Sequence, residues 1–372
     1  MSASPSDTEL RGALAQLKNA YPTLGVPKLR IKLREEQSWA VSEVRIKKIL
    51  AENASGNPLV PVSHPMPASA IAVLPSSVHV KIFGPPKGKG LVAAQDIQSG
   101  EALWEENPWI IAPEWDLYDL QQQGGACAHC STTFRRSGFP CEECGDAFCN
   151  RLCLNRARET GHRIMCTKAG RALLSYARQN TWQALHALVK ATARIAQTHE
   201  TDVLDAFATL GMEERYQFTR ADASSMRSVW RQAFELYLDA FKNNIKQLGE
   251  LATFEGFLKG LGKMSLNLES HGGLYPLHSH INHSCEPNIS VRHLHQQTAL
   301  ARITILPKRD IPKGEELTIT YIDPELPYAR RKQMLAEWGF DCQCTRCVRE
   351  KAEGAPDLSE LESELKAGLG VL

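Results

Sequence analysis

The chain of 372 residues has no excess of either charge, with 43 Lys plus Arg against 42 Asp plus Glu. No global field therefore draws it to nucleic acid or to a membrane, and any such affinity has to come from a local patch. It also lacks an apolar run of the about 18 residues that a membrane-spanning helix needs. The opening "MSASPSDTEL" has no apolar centre and does not read as a secretory signal. Internal repeats are missing too. These absences predict an intracellular chain with no membrane partner, where thiols stay reduced. What is present is an ordinary hydrophobic content of 43%, enough for two or three cored domains, and eleven cysteines. In a reducing compartment those cysteines point to metal rather than to disulfides.

The chain reads as an α+β protein in several parts. Residues 1–52 predict three helices: "ELRGALAQLKNA", then "PKLRIKLREE" with Pro27 in its first turn, then "SEVRIKKIL" behind a Ser42 cap. Five prolines without periodicity mark 53–77 as a linker. Alternating stretches such as "VHVKIFG", "GLVAAQDI" and "ALWEENPWIIA" predict strands in 78–126. A cysteine-rich segment fills 127–166, and 167–265 is helical, with three-to-four spacing in "LHALVKATARIA" and "VWRQAFELYLDAF". Strand character returns over 266–323 in "ISVRHLHQQTALARITIL" and "ELTITYI". A helix at "PYARRKQMLAEWG" then leads through 324–350, and a solvated helical tail is expected in 351–372.

Ten of the eleven cysteines fall in two clusters. Cys127 and Cys130, then Cys141 and Cys144, are CxxC pairs, and two intervening residues let both thiolates of a pair reach one tetrahedral zinc. Cys149–Cys153 and His162–Cys166 do the same from one helical turn. Eight ligands make two closed sites, which leaves His129 in "CAHC" a bystander. Forty residues with so little apolar content need the metal in order to fold. The spacing alone leaves open whether the sites are sequential or interleaved.

The second cluster, "CQCTRC", supplies Cys342, Cys344 and Cys347, one ligand short of a closed site. The one cysteine left over is Cys285, in "NHSCEPN". Using it gives three zinc ions and twelve ligands with nothing remaining, and requires the chain end to fold back onto "NHSC". The alternative is a water or an external ligand in the fourth position.

The first cluster resembles the MYND zinc finger. That resemblance implies interleaved sites, Cys127, Cys130, Cys149 and Cys153 on one zinc and Cys141, Cys144, His162 and Cys166 on the other. "GKGL" (88–91), "NHSCEPN" (282–288), "GEELTITY" (314–321) and "CQCTRC" resemble, in order, the signatures of a SET-domain lysine methyltransferase with an inserted finger, the SET-and-MYND family. Only about twenty-five residues follow Cys347, which resembles the short fungal branch rather than members with a large C-terminal repeat domain. The resemblance implies a SET β fold with its pseudoknot, split by the finger and a helical insert, with a post-SET zinc site. It implies S-adenosylmethionine (AdoMet) as cofactor and Tyr321 as catalytic tyrosine. Gly88, Lys89, Gly90, Asn282, His283, Tyr321 and Phe340 are implied as cofactor-binding, with Tyr275 a candidate for the lysine channel. Six histidines between 271 and 295 read as period-two strand positions rather than a further metal site, His283 excepted.

What the resemblance implies of function is methylation of protein lysines, in histone tails and histone four first, by a monomer of nucleus and cytoplasm. The rivals are a non-histone substrate such as a ribosomal protein, and a non-catalytic adaptor whose finger binds proline-rich peptides. The basic residues Lys28, Arg30, Lys32, Arg34, Arg45, Lys47 and Lys48 make the N-terminal helices a nucleic-acid candidate, set against a plain solvated bundle.

Overall fold

A computed structural model of the chain describes residues 5, 10, 13–14, 17, 21, 24–37, 39–47, 61–84, 87–213, 223–294 and 301–355, with only the backbone of 223–225. The chain divides into two compact units, Met1–Leu59 and Val60–Leu372. The expected C-terminal tail helix lies outside the described residues, as do 48–60 of the N-terminal part and the linker.

In the first unit a helix runs over Val26–Gln37, with Pro27 in its first turn, where the missing N–H costs nothing. Leu29 and Leu33, one turn apart, join Leu10, Leu14, Leu17, Val41 and Ile46 in a small core. Ser42 does cap the next helical stretch, its hydroxyl accepting from the Arg45 N–H at 3.2 Å.

The second unit is α+β, with two main cores. The first is helical. Helices Lys168–Gln179, Gln183–Thr198, Ala223–Ala240 and Phe254–Asn267 enclose Leu173, Leu185, Leu188, Trp230, Tyr237, Phe241, Phe257 and Leu261. Thr167 and Thr253 start two of these helices by accepting the Gly170 and Gly256 N–H groups, each at 3.0 Å. His199, with φ at 63°, ends another.

The second core lies among short sheets. Strands Val78–Gly84 and Gly88–Ala93 pair antiparallel, Val80 opposite Leu91. The strand Ile303–Pro307 lies between Trp104–Glu106 and Ile289–Arg292. Asn282–His283 and Thr318–Ile319 run parallel, a pairing that sets "NHSC" beside "TITY". Leu91, Ile281, Ile303, Ile305 and Leu317 fill the space between these sheets.

Two stretches differ from their sequence reading. Residues 61–77, inside the expected linker, contribute a short helix Ala68–Ile71 and bury Met66 and Ala70 in the sheet core. Val62 also exchanges both backbone hydrogen bonds with Thr209. Prolines fix φ without preventing side chains from packing. His278–His280 is a 3-10 turn rather than a strand. The Glu106 carboxylate accepts the Leu277 and His278 N–H groups at 2.7 and 3.0 Å, which satisfies the start of that turn.

Candidate functional site

The parallel pairing of Thr318–Ile319 with Asn282–His283 brings Tyr321 alongside "NHSC". The Tyr321 N–H donates to His283 Nδ1 at 3.0 Å, and its hydroxyl donates to the Ile281 carbonyl at 2.8 Å. Burial pushes the phenol well above its ordinary pKa, and the carboxylates of Glu269 and Glu316 push it further, so it stays a neutral hydroxyl. Its ring lies 4.9 Å from Trp338, 5.3 Å from His283 and 6.2 Å from Phe340, measured between centroids. Phe340 is thus brought to the site from the far end of the chain. Trp338, which carries no motif, comes with it.

The glycine strand packs tightly against the same place. A Cβ on Gly90 would lie 2.6 Å from Asn282 Nδ2 and 2.7 Å from Glu316 Oε1, so no larger residue fits there without a shift. Gly88 has φ at +72° and an equally close neighbour in Ser63. The Asn282 amide donates to the Lys89 carbonyl and to Glu316 Oε1, both at 2.9 Å. The Lys89 ammonium is engaged elsewhere, donating to the Ala206 carbonyl at 2.9 Å and to that of His64. Burial, with Lys263 nearby, lowers it to about 8. Lys87, which the sequence did not single out, pairs with Glu316 and lies 4.4 Å over the Phe83 ring.

Cys285, Cys342, Cys344 and Cys347 come together, all four sulfurs within 4.8 Å of one another. Cys285 and Cys347 are 3.5 Å apart, and every cysteine of the chain is free of disulfide. Tetrahedral zinc with Zn–S of about 2.3 Å implies sulfur separations of about 3.8 Å, so this donor set fits the metal. The thiolate, not the thiol, is the metal ligand, so zinc binding requires these four groups to give up their protons. A divalent cation would take the place of those protons. Arg331, 1% exposed, pairs with Glu350, which also holds Arg346 at 2.8 Å. Arg346 reaches the Pro324 carbonyl at 2.7 Å and that of Cys285 at 3.4 Å. This network clamps the helix Thr345–Ala352 to Cys285.

One ring joins this cluster to the tyrosine. His283 Nε2 lies 3.3 Å from Cys285 Sγ while Nδ1 accepts from Tyr321. A ring that accepts at Nδ1 carries its proton on Nε2, where it donates to the sulfur. Sequence spacing marks His283 through its motif but does not show this bridge.

The finger residues gather in two interleaved groups. Cys127, Cys130, Cys149 and Cys153 form one, and Cys141, Cys144, His162 and Cys166 the other, each within 4.8 Å. Cys130 and Cys149 are 3.4 Å apart, Cys141 and Cys166 3.9 Å, and Cys144 Sγ lies 3.6 Å from His162 Nε2. His129 joins neither group. It lines a cavity of about 560 Å³ with Trp109, Arg156, Lys190, Arg194 and Arg302. Tyr275 is fully buried, its hydroxyl donating to the Ala301 carbonyl and 2.7 Å from His271 Nε2. Among the described residues the histidines around it form no metal group.

The SET domain family matches residues 88–322. The histone-lysine N-methyltransferase SET5 of Yarrowia lipolytica is 31% identical over 98% of this chain and 86% of its own length. SET5 of Scheffersomyces stipitis is 26% identical over 98% of this chain and 87% of its own. Among solved structures, the SET domain of LSMT bound to lysine and AdoHcy aligns at 12% identity with a TM-score of 0.41, over 82% of this chain and 58% of that one. A family match covering more than half of the chain, and a relative aligned along nearly all of it, settle the membership: this chain belongs to the SET-domain family and, within it, to the SET5 histone-lysine N-methyltransferases.

Proposed function

We propose that the protein transfers methyl groups from AdoMet to lysines in histone tails, with lysines of histone four as first targets, and that it holds three zinc ions. The observation that carries this reading is the Tyr321 hydroxyl, held neutral on the Ile281 carbonyl inside a wall of Trp338, Phe340 and His283. AdoMet, when bound, supplies a methyl group on a sulfonium. Aromatic faces suit that cation, and Gly88, Lys89, Gly90, Asn282, His283, Tyr321 and Phe340 are the residues assigned to hold it. The Asn282 amide, fixed by Glu316 and the Lys89 carbonyl, presents a rigid edge for the polar end of the cofactor. The substrate amine must react in its neutral form, although a free lysine with pKa of about 10.4 is mostly protonated. A dry aromatic channel favours the neutral amine and aligns it for in-line displacement. Tyr321 orients that amine through its hydroxyl oxygen, whose proton is already committed to Ile281.

The histone name of the SET5 relatives favours a nuclear location. The finger remains a candidate for a proline-rich peptide, and the N-terminal helices for nucleic acid. Histone and ribosomal fractions incubated with isotope-labelled AdoMet and the purified protein, then mapped by mass spectrometry, test the reading. Label on histone-four lysines is expected. Label confined to ribosomal proteins would replace the substrate, and no label with AdoMet still bound would leave an adaptor.

A further inference from the structure

Lys89 stands between two glycines in the strand Gly88–Ala93. Successive residues of a strand face opposite sides. A Cβ on Gly90 would meet Asn282, Glu316 and Phe83, so the Lys89 side chain points away from them. There it is 6% exposed, and its ammonium donates to two carbonyls, that of Ala206 at 2.9 Å and that of His64. Among the described residues no carboxylate pairs with it. A cation so enclosed leaves little room for an anion.

The two carbonyls come from separate stretches of the chain. Ala206 ends the helix Thr201–Ala206, where Lys263 also donates to the Leu204 carbonyl at 3.0 Å, so two cations satisfy the free carbonyls of one helix end. His64 lies in the proline-rich stretch. Two residues earlier Val62 fastens that stretch to Thr209 through backbone hydrogen bonds of 2.8 and 3.0 Å. Ser63 covers Gly88, with its Cβ 2.7 Å from where a Cβ on that glycine would lie. Proline-rich stretch, helix end and glycine strand thus meet at one ammonium. Glycines offer no side chain by which a strand can be held, so between Gly88 and Gly90 only Lys89 can fasten it. The Lys89 carbonyl in turn accepts from Asn282 Nδ2 at 2.9 Å. One residue is therefore moored by its side chain and holds the Asn282 amide by its backbone.

We propose that Lys89 is a positioning residue for AdoMet: it moors the glycine strand to the stretch 62–66 and to the helix Thr201–Ala206, and thereby sets the Asn282 amide against the cofactor. Its charge acts on the protein and not on the cofactor's carboxylate. The proline-rich stretch is accordingly a working part of the cofactor site rather than a spacer, since a binding group is only as well placed as the residues that support it.

The inference rests on the methyltransferase reading, and binding of two ligands to the full chain separates the two. The ligands are AdoMet and decarboxylated AdoMet, which lacks the carboxylate that a lysine would bind. Lys89→Met leaves two carbonyls without their donor, and we expect it to weaken both ligands alike, by about tenfold. Lys89→Gln keeps a neutral donor and should recover part of the loss. Val62→Pro, which removes the N–H given to Thr209, should weaken both ligands about threefold. In methyl transfer the KM for AdoMet should rise while kcat and the peptide KM stay within about twofold, whereas a mere loss of folded protein would lower kcat. A loss confined to AdoMet would mean direct contact with its carboxylate and would overturn the proposal. Unchanged affinity for both ligands in Lys89→Met or in Val62→Pro would overturn it as well. Should Lys89→Met fail to fold, Lys89→Gln and Val62→Pro decide the comparison in the same way. A wild type that binds neither ligand would overturn the methyltransferase reading, and this inference with it.

Discussion

In the finger, eight metal-ligating positions come from one stretch of forty residues, and the buried apolar company they keep is little more than Phe148, Leu154 and Ala157. In the third group, Cys285 comes from the sheet core and the other three sulfurs from the chain's far end, and all four are embedded with Tyr321, Ile322, Leu335, Trp338 and Phe340. The donors are nearly the same in both places. In the finger a bound metal would stand in for a core that forty residues cannot build, so its loss would be a local loss. In the third group an apolar core already exists, and a bound metal would fix which distant segments meet in it. There His283 links sulfur to tyrosine, so disturbance of a bound metal would reach Tyr321.

The largest expected effect isolates the tyrosine from the metal. Tyr321→Phe should lower turnover roughly a hundredfold or more while AdoMet affinity and all three zinc ions stay, because in the proposed mechanism the hydroxyl acts on the reacting amine. Normal turnover in that variant would remove Tyr321 from the chemistry, and the third group would then have no catalytic end to support.

A smaller effect is expected in the finger. Cys149→Ser should release one zinc of three and loosen the finger. Methylation of a short peptide should stay within about threefold of wild type, since among the described residues the finger's cluster shares no member with the one around Tyr321. If peptide methylation collapsed together with that metal, the contrast between local and long-range sites would break down.

The smallest effect concerns the N-terminal unit. Removal of residues 1–52 should leave zinc content, AdoMet binding and peptide methylation within about twofold of wild type, as expected of an independent module. A loss seen only on nucleosomes, largest at low salt and shrinking as salt rises, would make its basic helix a nucleic-acid contact.

Cys285 is legible in the sequence because eleven cysteines and one histidine close three sites only if it is used. The ordered motifs likewise mark Tyr321, Asn282 and His283, since each sits in a run whose spacing survives in one dimension. What is not legible there depends on contacts between segments that share no motif. Glu316, Trp338, Arg331 and Glu350 are single residues, and only the fold gathers them. Lys89 shows the converse: a cation between two glycines suggests an open anion partner, yet its side chain ends on the carbonyls of His64 and Ala206, in stretches whose packing no pattern announces. Met66 and Ala70 are hidden for a similar reason, because prolines obscure periodicity while leaving apolar side chains free to pack.

Metal analysis of Cys285→Ser beside wild type, with methyl transfer measured on the same samples, tests most directly the claim that the third group ties the chain end to the active site. A serine oxygen is a poor zinc ligand beside thiolates, so that site should become three-coordinate and labile. The account predicts three zinc ions in wild type and two in the variant, with methyl transfer falling along with the missing metal while helical content persists. Two zinc ions in both proteins, or an unchanged rate after the third is lost, would contradict it.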